Sequence, residues 1–331
     1  MKTNSQPLVS IIILNHNGMR FLRECFDSLE KIDYPNYEIL FVDNGSTDGS
    51  IDFIRQGYLS TKIIENKENL GFAAANNNAS YMARGKYLFF LNNDTRVEAE
   101  IISRLVERME ANPTIGICAC KIMSYDGKSH FHTGLGIDIY GYPMTKGHIF
   151  YSEGSSLMVR KALFHELGGF DAKYLFFHED IDLAWRTWMI DYQVVPVPEA
   201  IVYHAHGGSA GGAVKEGKYV STLFRRYLSE RNNIRTILKN YSLANLLIIF
   251  PRYVLINLCE ILLFSVTLQF KVVLCYLKAY WWNMINLGDT LKRRGQIKQL
   301  RRVPDREIVK RMYKGSGKLT SFKKVGIPRF D

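Results

Sequence analysis

The sequence predicts an α/β protein: a mixed, mainly parallel β-sheet with flanking helices, followed by membrane-associating helices. Three observations predict this. From Val9 to Lys121, β-branched apolar runs alternate with segments of helical spacing, the pattern of a mainly parallel sheet covered by helices. The strand-like runs stop at clusters of Asp and Asn, namely Asn15-His16-Asn17, Asp43-Asn44, Asn66 to Gly71 and Asn92 to Asp94. Ligands of such sheets bind beyond the carboxyl ends of the strands. The chain has 331 residues and is 47% apolar, enough for one sizeable core or a domain with an appendage.

The elements follow in order. Val9 to Leu14 is a β-branched run, Met19 to Leu29 has helical spacing, and Tyr37 to Val42 is a strand stopped by Asp43-Asn44-Gly45. Asp48 to Arg55 reads as a short helix, Lys62 to Glu65 as a strand, and Phe72 to Ala83 as an Ala- and Asn-rich helix. Tyr87 to Leu91 is a buried strand that ends in Asn92, Asn93 and Asp94; Glu98 to Ala111 is a helix and Ile115 to Lys121 a strand. Tyr125 to Phe150 is rich in Gly, Tyr and His without periodicity, and part of it reads as an acceptor-side flap. Ser155 to Val159 is a strand and Lys161 to Leu167 a helix; Gly168 to Asp171 then turns the chain into a helix beginning near Asp180. Gln193 to Val197 and Ala200 to Tyr203 are extended, and Gly207 to Gly212 is a glycine-rich lid.

The second half opens with a basic helix, Lys215 to Lys239, and then turns apolar from Leu243 to Leu287. Pro251-Arg252, Glu260, Gln269 to Lys271 and Lys278 interrupt that stretch, so no unbroken run reaches the roughly 20 residues of a simple span. Amphipathic or re-entrant helices lying in one leaflet fit best; a crossing hairpin and a buried soluble core are the alternatives. Trp281 and Trp282 suit an interfacial belt or a core. Residues 1–212, 213–290 and 291–331 are thus expected to form a sheet domain, an apolar helical region and a basic tail.

Charge supports this division. The net charge is +11, and the stretch from Lys292 onward carries 14 Lys and Arg against three acids, leaving the remainder neutral. A neutral body with a basic tail after an apolar segment points to an anionic membrane surface. Few aromatics interleave the bases, which speaks against nucleic acid. The five cysteines (Cys25, Cys118, Cys120, Cys259 and Cys275) form no Cys-x-x-Cys and read as free buried thiols in a reducing compartment. The run Val9 to Leu14 is too short for a signal sequence. The expected location is the cytoplasmic face of the cell membrane, peripheral or monotopic.

Two carboxylates carry the chemistry. Asp94, at the mouth of a strand with no basic neighbour before Arg96, is placed to hold a divalent cation, and Asp180 lies in the first turns of a helix. Glu179 and Asp182 crowd Asp180 and should raise its pKa, with Arg186 near enough to counter them. His130, His132, His148 and His178 read as surface or packing residues, and Trp185 and Trp188 as packing the helix, with sugar stacking the alternative for Trp185.

Five segments carry a resemblance. Val9-Ser-Ile-Ile-Ile-Leu-Asn-His-Asn-Gly18, Val42-Asp-Asn-Gly-Ser-Thr-Asp-Gly49, Glu68-Asn-Leu-Gly-Phe-Ala-Ala-Ala-Asn76, Leu91-Asn-Asn-Asp94 and Glu179-Asp-Ile-Asp-Leu-Ala-Trp-Arg186 together resemble glycosyltransferase family 2, its rhamnosyltransferase-like branch in particular. The resemblance covers about residues 8 to 210. It implies the Rossmann-like GT-A fold and an inverting, non-processive transfer of a sugar from a nucleotide-diphosphate donor, such as dTDP-rhamnose. The acceptor would be a hydroxyl of a lipid-linked or polysaccharide glycan of the cell surface. By position it implies Asn15 and Asp43 at the nucleoside, with Asn44, Asn69, Gly71, Asn76 and Asn93 lining the donor pocket. Asp94 would bind Mn²⁺ or Mg²⁺ with His204, His206 being the rival ligand, and Asp180 would be the base. Glu179 and Trp185 are acceptor-side candidates. The family's Asp-x-Asp metal motif appears as Asn92-Asn93-Asp94, with one carboxylate kept, and Asn is a poorer ligand for a hard cation.

Other classes fit less well. No Gly-x-Gly-x-x-Gly follows the first strand and no Walker loop is present, which disfavours a dehydrogenase or P-loop NTPase. A nucleotidyltransferase should carry a Gly-rich loop with Arg where Asn15 to Gly18 stands. A dead membrane scaffold would not need Asp94, Asp180 and His204. No Gln-x-x-Arg-Trp follows Asp180, against a processive synthase.

Overall fold

The computed structural model describes residues 6–145, 147–205, 212–215, 218–327 and 329–330. The chain packs as two units: one holds the described residues of Met1–Gly134, Tyr151–Thr187 and Asp191–Gly207, the other those of Leu135–Phe150, Trp188–Ile190 and Gly208–Asp331.

The first unit is a nine-stranded mixed sheet with helices. Its opening elements are β1 (Val9–Asn15), α1 (Met19–Leu29), β2 (Tyr37–Asn44), α2 (Ser50–Gly57), β3 (Lys62–Asn66), α3 (Gly71–Met82) and β4 (Tyr87–Asn92). β1 to β4 run parallel in the order β3-β2-β1-β4. Val9, Ile11, Ile12 and Ile13 are all buried, because both sheet faces are covered and the strand reads as a continuous apolar run. Helix α1 buries Leu22, Cys25, Phe26 and Leu29, the i, i+3, i+4, i+7 stripe of an amphipathic helix.

Beyond β4 come β5 (Thr95–Val97), α4 (Ile101–Ala111), β6 (Ile115–Ser124), β7 (His130–Thr133) and, in the second unit, β8 (Gly136–Ile137) and β9 (Pro143–Met144). β10 (Ser156–Arg160), α5 (Lys161–Glu166), α6 (Glu179–Met189) and β11 (Gln193–His204) follow. β10 inserts antiparallel between β4 and β6, and β6 pairs parallel with β11. The two extended segments expected before His204 are one strand, β11, with an irregularity between Val197 and Ile201. Pro196 and Pro198 flank Val197 there, and proline cannot complete a ladder.

The second unit holds β12 (Gly212–Lys215), β13 (Lys218–Ser221), α7 (Leu223–Asn240), α8 (Leu243–Val266), α9 (Phe270–Ile285), α10 (Leu287–Leu300), α11 (Asp305–Val309), α12 (Gly317–Val325) and β14 (Arg329–Phe330). The basic helix therefore begins at Leu223, and Lys215 lies on a strand. Pro251 does not break the apolar stretch: α8 continues through it for 24 residues and, among the described residues, is the one helix long and apolar enough to cross a membrane by length and composition. Arg252 is exposed, but Asn257 and Glu260 farther along turn inward. Asn257 is buried and donates to Tyr280 Oη at 3.1 Å, while Leu243, Leu247, Leu255, Leu258 and Leu262 are exposed. Helix α9 repeats this, with Tyr276 and Asn283 inside and Leu274, Leu277, Trp281 and Met284 outside. The residues after Lys292 are largely helical, and Lys318 of α12 reaches Glu230 at 2.8 Å. Four cysteines are buried free thiols as expected; Cys259, on α8, is exposed.

Candidate active site

The strand registers gather the polar ends. Asn15 lies opposite Asp43 across β1 and β2, Asn44 opposite Asn66 across β2 and β3, and Leu14 opposite Asn92 across β1 and β4. Asn15 Nδ2 donates to Asp43 Oδ1 at 3.1 Å, and Asn93 Nδ2 donates to Asn15 Oδ1 at 2.6 Å. Asp43 Oδ2 accepts the backbone N–H groups of Gly45 and Ser46 at 3.1 and 2.8 Å. Three of about four acceptor positions of this buried carboxylate are thus taken. A Cβ on Gly18 would stand 1.9 Å from Asn93 Nδ2, so only glycine lets the loop after β1 approach the end of β4 this closely.

Asn44 acts as a bracket. Its Oδ1 accepts from Asn66 Nδ2 and from the Leu70 N–H at 3.1 Å each, and its Nδ2 donates to Asn69 Oδ1 at 2.8 Å. It holds the loop before α3 in place, with little bonding capacity left for a ligand. Asn69 Oδ1 also accepts from the Gly71 N–H at 2.9 Å. Asn76 is buried and donates to Phe72 O of its own helix at 3.0 Å.

The strand β5 was not foreseen, and it explains how Asp94 meets His204. β5 pairs antiparallel with β11 so that Thr95 faces His204, and the Ala205 N–H continues the ladder to Asp94 O at 3.0 Å. The imidazole then lies beside the carboxylate, with His204 Nε2 donating to Asp94 Oδ1 at 3.1 Å. Both side chains are buried. Burial disfavours the imidazolium, but the Asp94 bond and charge outweigh it and raise the His204 pKa above its ordinary value. His206 and most of the expected lid lie outside the described residues.

Asp180 begins α6 after a contorted approach. Leu175, Phe177 and His178 have φ of 61°, 67° and 69°, left-handed values that cost side-chain-bearing residues energy and concentrate at functional sites. Phe72 N–H donates to Leu175 O at 2.9 Å, tying this segment to α3. A Cβ on Gly71 (φ 78°) would press on the Leu175 backbone at 3.2 Å. Asp180 Oδ2 accepts the Gly154 N–H at 3.1 Å and Oδ1 accepts that of Ile181 at 2.7 Å. The residue keeps partial exposure, yet its carboxyl is enclosed. Burial pushes that carboxyl up to about 7; the Ile181 and Gly154 bonds oppose the rise and the Glu153 charge adds to it. Burial first, and Asp180 second, raise Glu179 well above the carboxylate range.

Two expectations about α6 are corrected. Arg186 does not counter Asp180: it grips Asp182 Oδ2 through Nε and Nη2 at 2.9 and 2.6 Å. Trp185 is fully buried and offers no ring face to a sugar; it packs the helix.

The two halves are linked by the turn before β10. Ser155 O accepts the Asn92 N–H at 2.9 Å on the Asp94 side, and Gly154 N–H serves Asp180 on the other. Glu153, in the same turn, was missed by sequence reasoning, as was its neighbour His132 on β7. His132 Nε2 lies 3.2 Å from Glu153 Oε2. They are 21 positions apart in no motif, so only the β6–β7 pairing could have signalled the contact.

A divalent cation is tested on this geometry. Among the described residues no group of three His, Cys, Asp or Glu could hold a metal. The buried Asp94–His204 pair supplies one oxygen and one nitrogen donor, which suits a cation completed by waters and phosphate oxygens. His204 would surrender the Nε2 proton now shared with Asp94.

Comparison with known proteins agrees with this architecture. Residues 10–168 match the family described as Glycosyl transferase family 2. The O-antigen biosynthesis protein RfbC of Myxococcus xanthus is 26% identical over 240 residues, covering 64% of this chain and 18% of that protein. The putative teichuronic acid biosynthesis glycosyltransferase TuaG of Bacillus subtilis is 30% identical over 129 residues, covering 38% and 51%. The chain thus spans at most about half the length of these relatives. Among solved structures, the mannosyltransferase PcManGT from Pyrobaculum calidifontis in complex with GDP-Man and Mn²⁺ aligns with a TM-score of 0.55 at 17% identity, covering 90% of this chain and 86% of that one. GalNAc-T7 with UDP, GalNAc and Mn²⁺ aligns with a TM-score of 0.56 at 18% identity, covering 71% and 48%. The sheet is that of the GT-A fold, and residues 10–168 of the chain match glycosyltransferase family 2.

Proposed function

We propose that the protein transfers a sugar from a nucleotide-diphosphate donor to a hydroxyl of a cell-surface glycan acceptor, with inversion and one sugar per encounter. The observation that carries this reading is the single turn, Glu153 to Ser155, that ties the Asp94 strand to the Asp180 base. Asn15, Asp43 and Asn93 form the nucleoside end, and Asn69 and Gly71 the wall toward the sugar. Asp94 and His204 would hold Mn²⁺ or Mg²⁺, which when bound neutralises the leaving diphosphate. The imidazole favours Mn²⁺. Asp180 accepts the acceptor hydroxyl proton as the new glycosidic bond forms, a step that typically contributes about 10²–10⁴-fold. Its carboxyl, near 7, is matched to that task. The relatives named for O-antigen and teichuronic acid biosynthesis support a lipid-linked or polysaccharide acceptor. dTDP-rhamnose remains the donor of the resemblance. The outward apolar faces of α8 and α9 support a peripheral or monotopic place on the cytoplasmic membrane face.

The test is a panel of UDP-, GDP- and dTDP-sugars incubated with the purified chain, with and without Mn²⁺. Release of nucleoside diphosphate from at least one donor, dependent on the cation, is expected; no release from any donor overturns the reading.

A further inference from the structure

We infer that Glu153, steadied by His132, is an acceptor-positioning residue that binds hydroxyls of the incoming sugar beside Asp180. This rests on the proposed sugar transfer. The argument begins with the turn. Gly154 is bonded to the base, and Ser155 to Asn92, so the Glu153 carboxylate is held at fixed height between the two halves of the site. Its charge acts on Asp180 and Glu179 on one side and on His204 on the other. Its side chain is 31% exposed, while that of His132, 3.2 Å away, is 13% exposed. A third acid beside two others costs stability, and such crowding is a mark of functional sites.

The proposed cation site is already furnished by Asp94 and His204, on the Asn92 side of the turn. The nucleoside is not the partner of Glu153 either, because the ends of β1 and β2 lie on the other side of β4 from β10. What remains is the acceptor. An ionised carboxylate is an acceptor-only group; with Oε2 turned to His132, Oε1 is the oxygen for a sugar hydroxyl, and a pyranose presents neighbouring hydroxyls. With one hydroxyl on Glu153, its neighbour can be turned toward Asp180. His132 comes from β7, held to β6 by the Ile122–His132 pair, so the carboxylate is oriented from a second strand.

The test uses the whole chain, the donor found active in the panel, and octyl glycosides of glucose, galactose and N-acetylglucosamine as acceptor probes. Glu153→Gln should raise the acceptor KM about 10-fold or more, the loss expected for a charged hydrogen bond, and lower kcat by less. Glu153→Asp should recover part of the loss. His132→Gln should raise the acceptor KM less, and the double variant should resemble Glu153→Gln alone. An unchanged acceptor KM in Glu153→Gln, additive effects in the double variant, or no glycoside acceptor for a wild type that hydrolyses its donor would each overturn the assignment. A wild type that hydrolyses no donor refutes the proposed transfer itself.

Discussion

Gly154 gives its backbone N–H to Asp180 Oδ2 at 3.1 Å, so the proposed base is held by a peptide group. A backbone donor cannot swing away, and the lowering it exerts on the carboxyl is outweighed by burial. Asp180→Asn keeps the shape and removes the basicity. Transfer of radiolabelled sugar should fall at least about 10²-fold, with nucleotide affinity by calorimetry unchanged. Turnover within a few-fold of wild type would remove Asp180 from the mechanism.

The same carboxyl sets a pH dependence. It lies near 7, raised chiefly by burial. The base acts only when ionised, so kcat/KM should rise with pH through about 7 and fall about tenfold per unit below it. The conformational consequence has the opposite sense. A carboxyl raised in the fold favours the folded state below its unfolded pKa of about 3.9, and that contribution is lost as pH rises through 7. A flat rate profile between pH 5 and 8 would contradict the assignment.

The fold was legible because parallel strands buried on both faces leave unbroken apolar runs; Met19–Leu29, for example, is helical to the residue. The meeting of Asp94 and His204 was legible through the resemblance. That of Glu153 and His132 was not, because it depends on β7 folding back on β6 and β10 inserting beside β4. Arg186 was misassigned because i, i+4 geometry favours Asp182 over Asp180. The long α8 was obscured because Asn257 and Glu260 read as interruptions, whereas they face inward partners.

The Asp94–His204 contact predicts a sharp metal response. Chelation should stop transfer and added Mn²⁺ restore it. Even outer-shell changes at metal sites cost about 10–100-fold in affinity, so His204→Ala should raise the half-saturating Mn²⁺ concentration at least as much. Metal titrations of donor hydrolysis would show it, and identical curves would leave His206 as the ligand.

Gly71 combines φ 78° with a would-be Cβ 3.2 Å from the Leu175 backbone. Gly71→Ala should cost about 1–2 kcal/mol through left-handed strain alone. The added methyl also pushes on the segment Leu175 to His178 that delivers Asp180, so kcat should fall beyond what the melting temperature explains. Equal loss in Ala74→Gly, on the same helix, would assign the effect to general destabilisation.

In the second unit Glu230 is buried, with Lys318 Nζ at 2.8 Å and Arg226 Nη2 at 3.4 Å. Burial opposes its charge, but Lys318 and Arg226 prevail and hold its carboxyl down to about 2. Its unfolded pKa is about 4.3, so this contribution is complete above that value and lost as pH falls toward 2. Lys318→Met should cost about 3–5 kcal/mol in urea unfolding, because it removes one of the two cations that hold the buried Glu230 charge, and should weaken that acid dependence. A cost below 1 kcal/mol would mean the network relaxes around water.

Helix α8 buries Asn257 and turns leucines outward, with Leu258 and Leu262 55% and 66% exposed. Water does not stabilise an outward apolar face; an acyl layer would. Each leucine moved out of water contributes about 1.5–3 kcal/mol, whereas each nearby Lys or Arg adds about 1 kcal/mol that salt screens. Cosedimentation with phosphatidylserine-containing vesicles should therefore weaken only in part at high salt. The double variant Leu258→Asp, Leu262→Asp should abolish it even at low salt, since two charges oppose the apolar face while the bases remain. If the leucine variant binds as well as wild type and salt alone releases the protein, attachment is purely electrostatic, and the exposed face of α8 meets another protein surface.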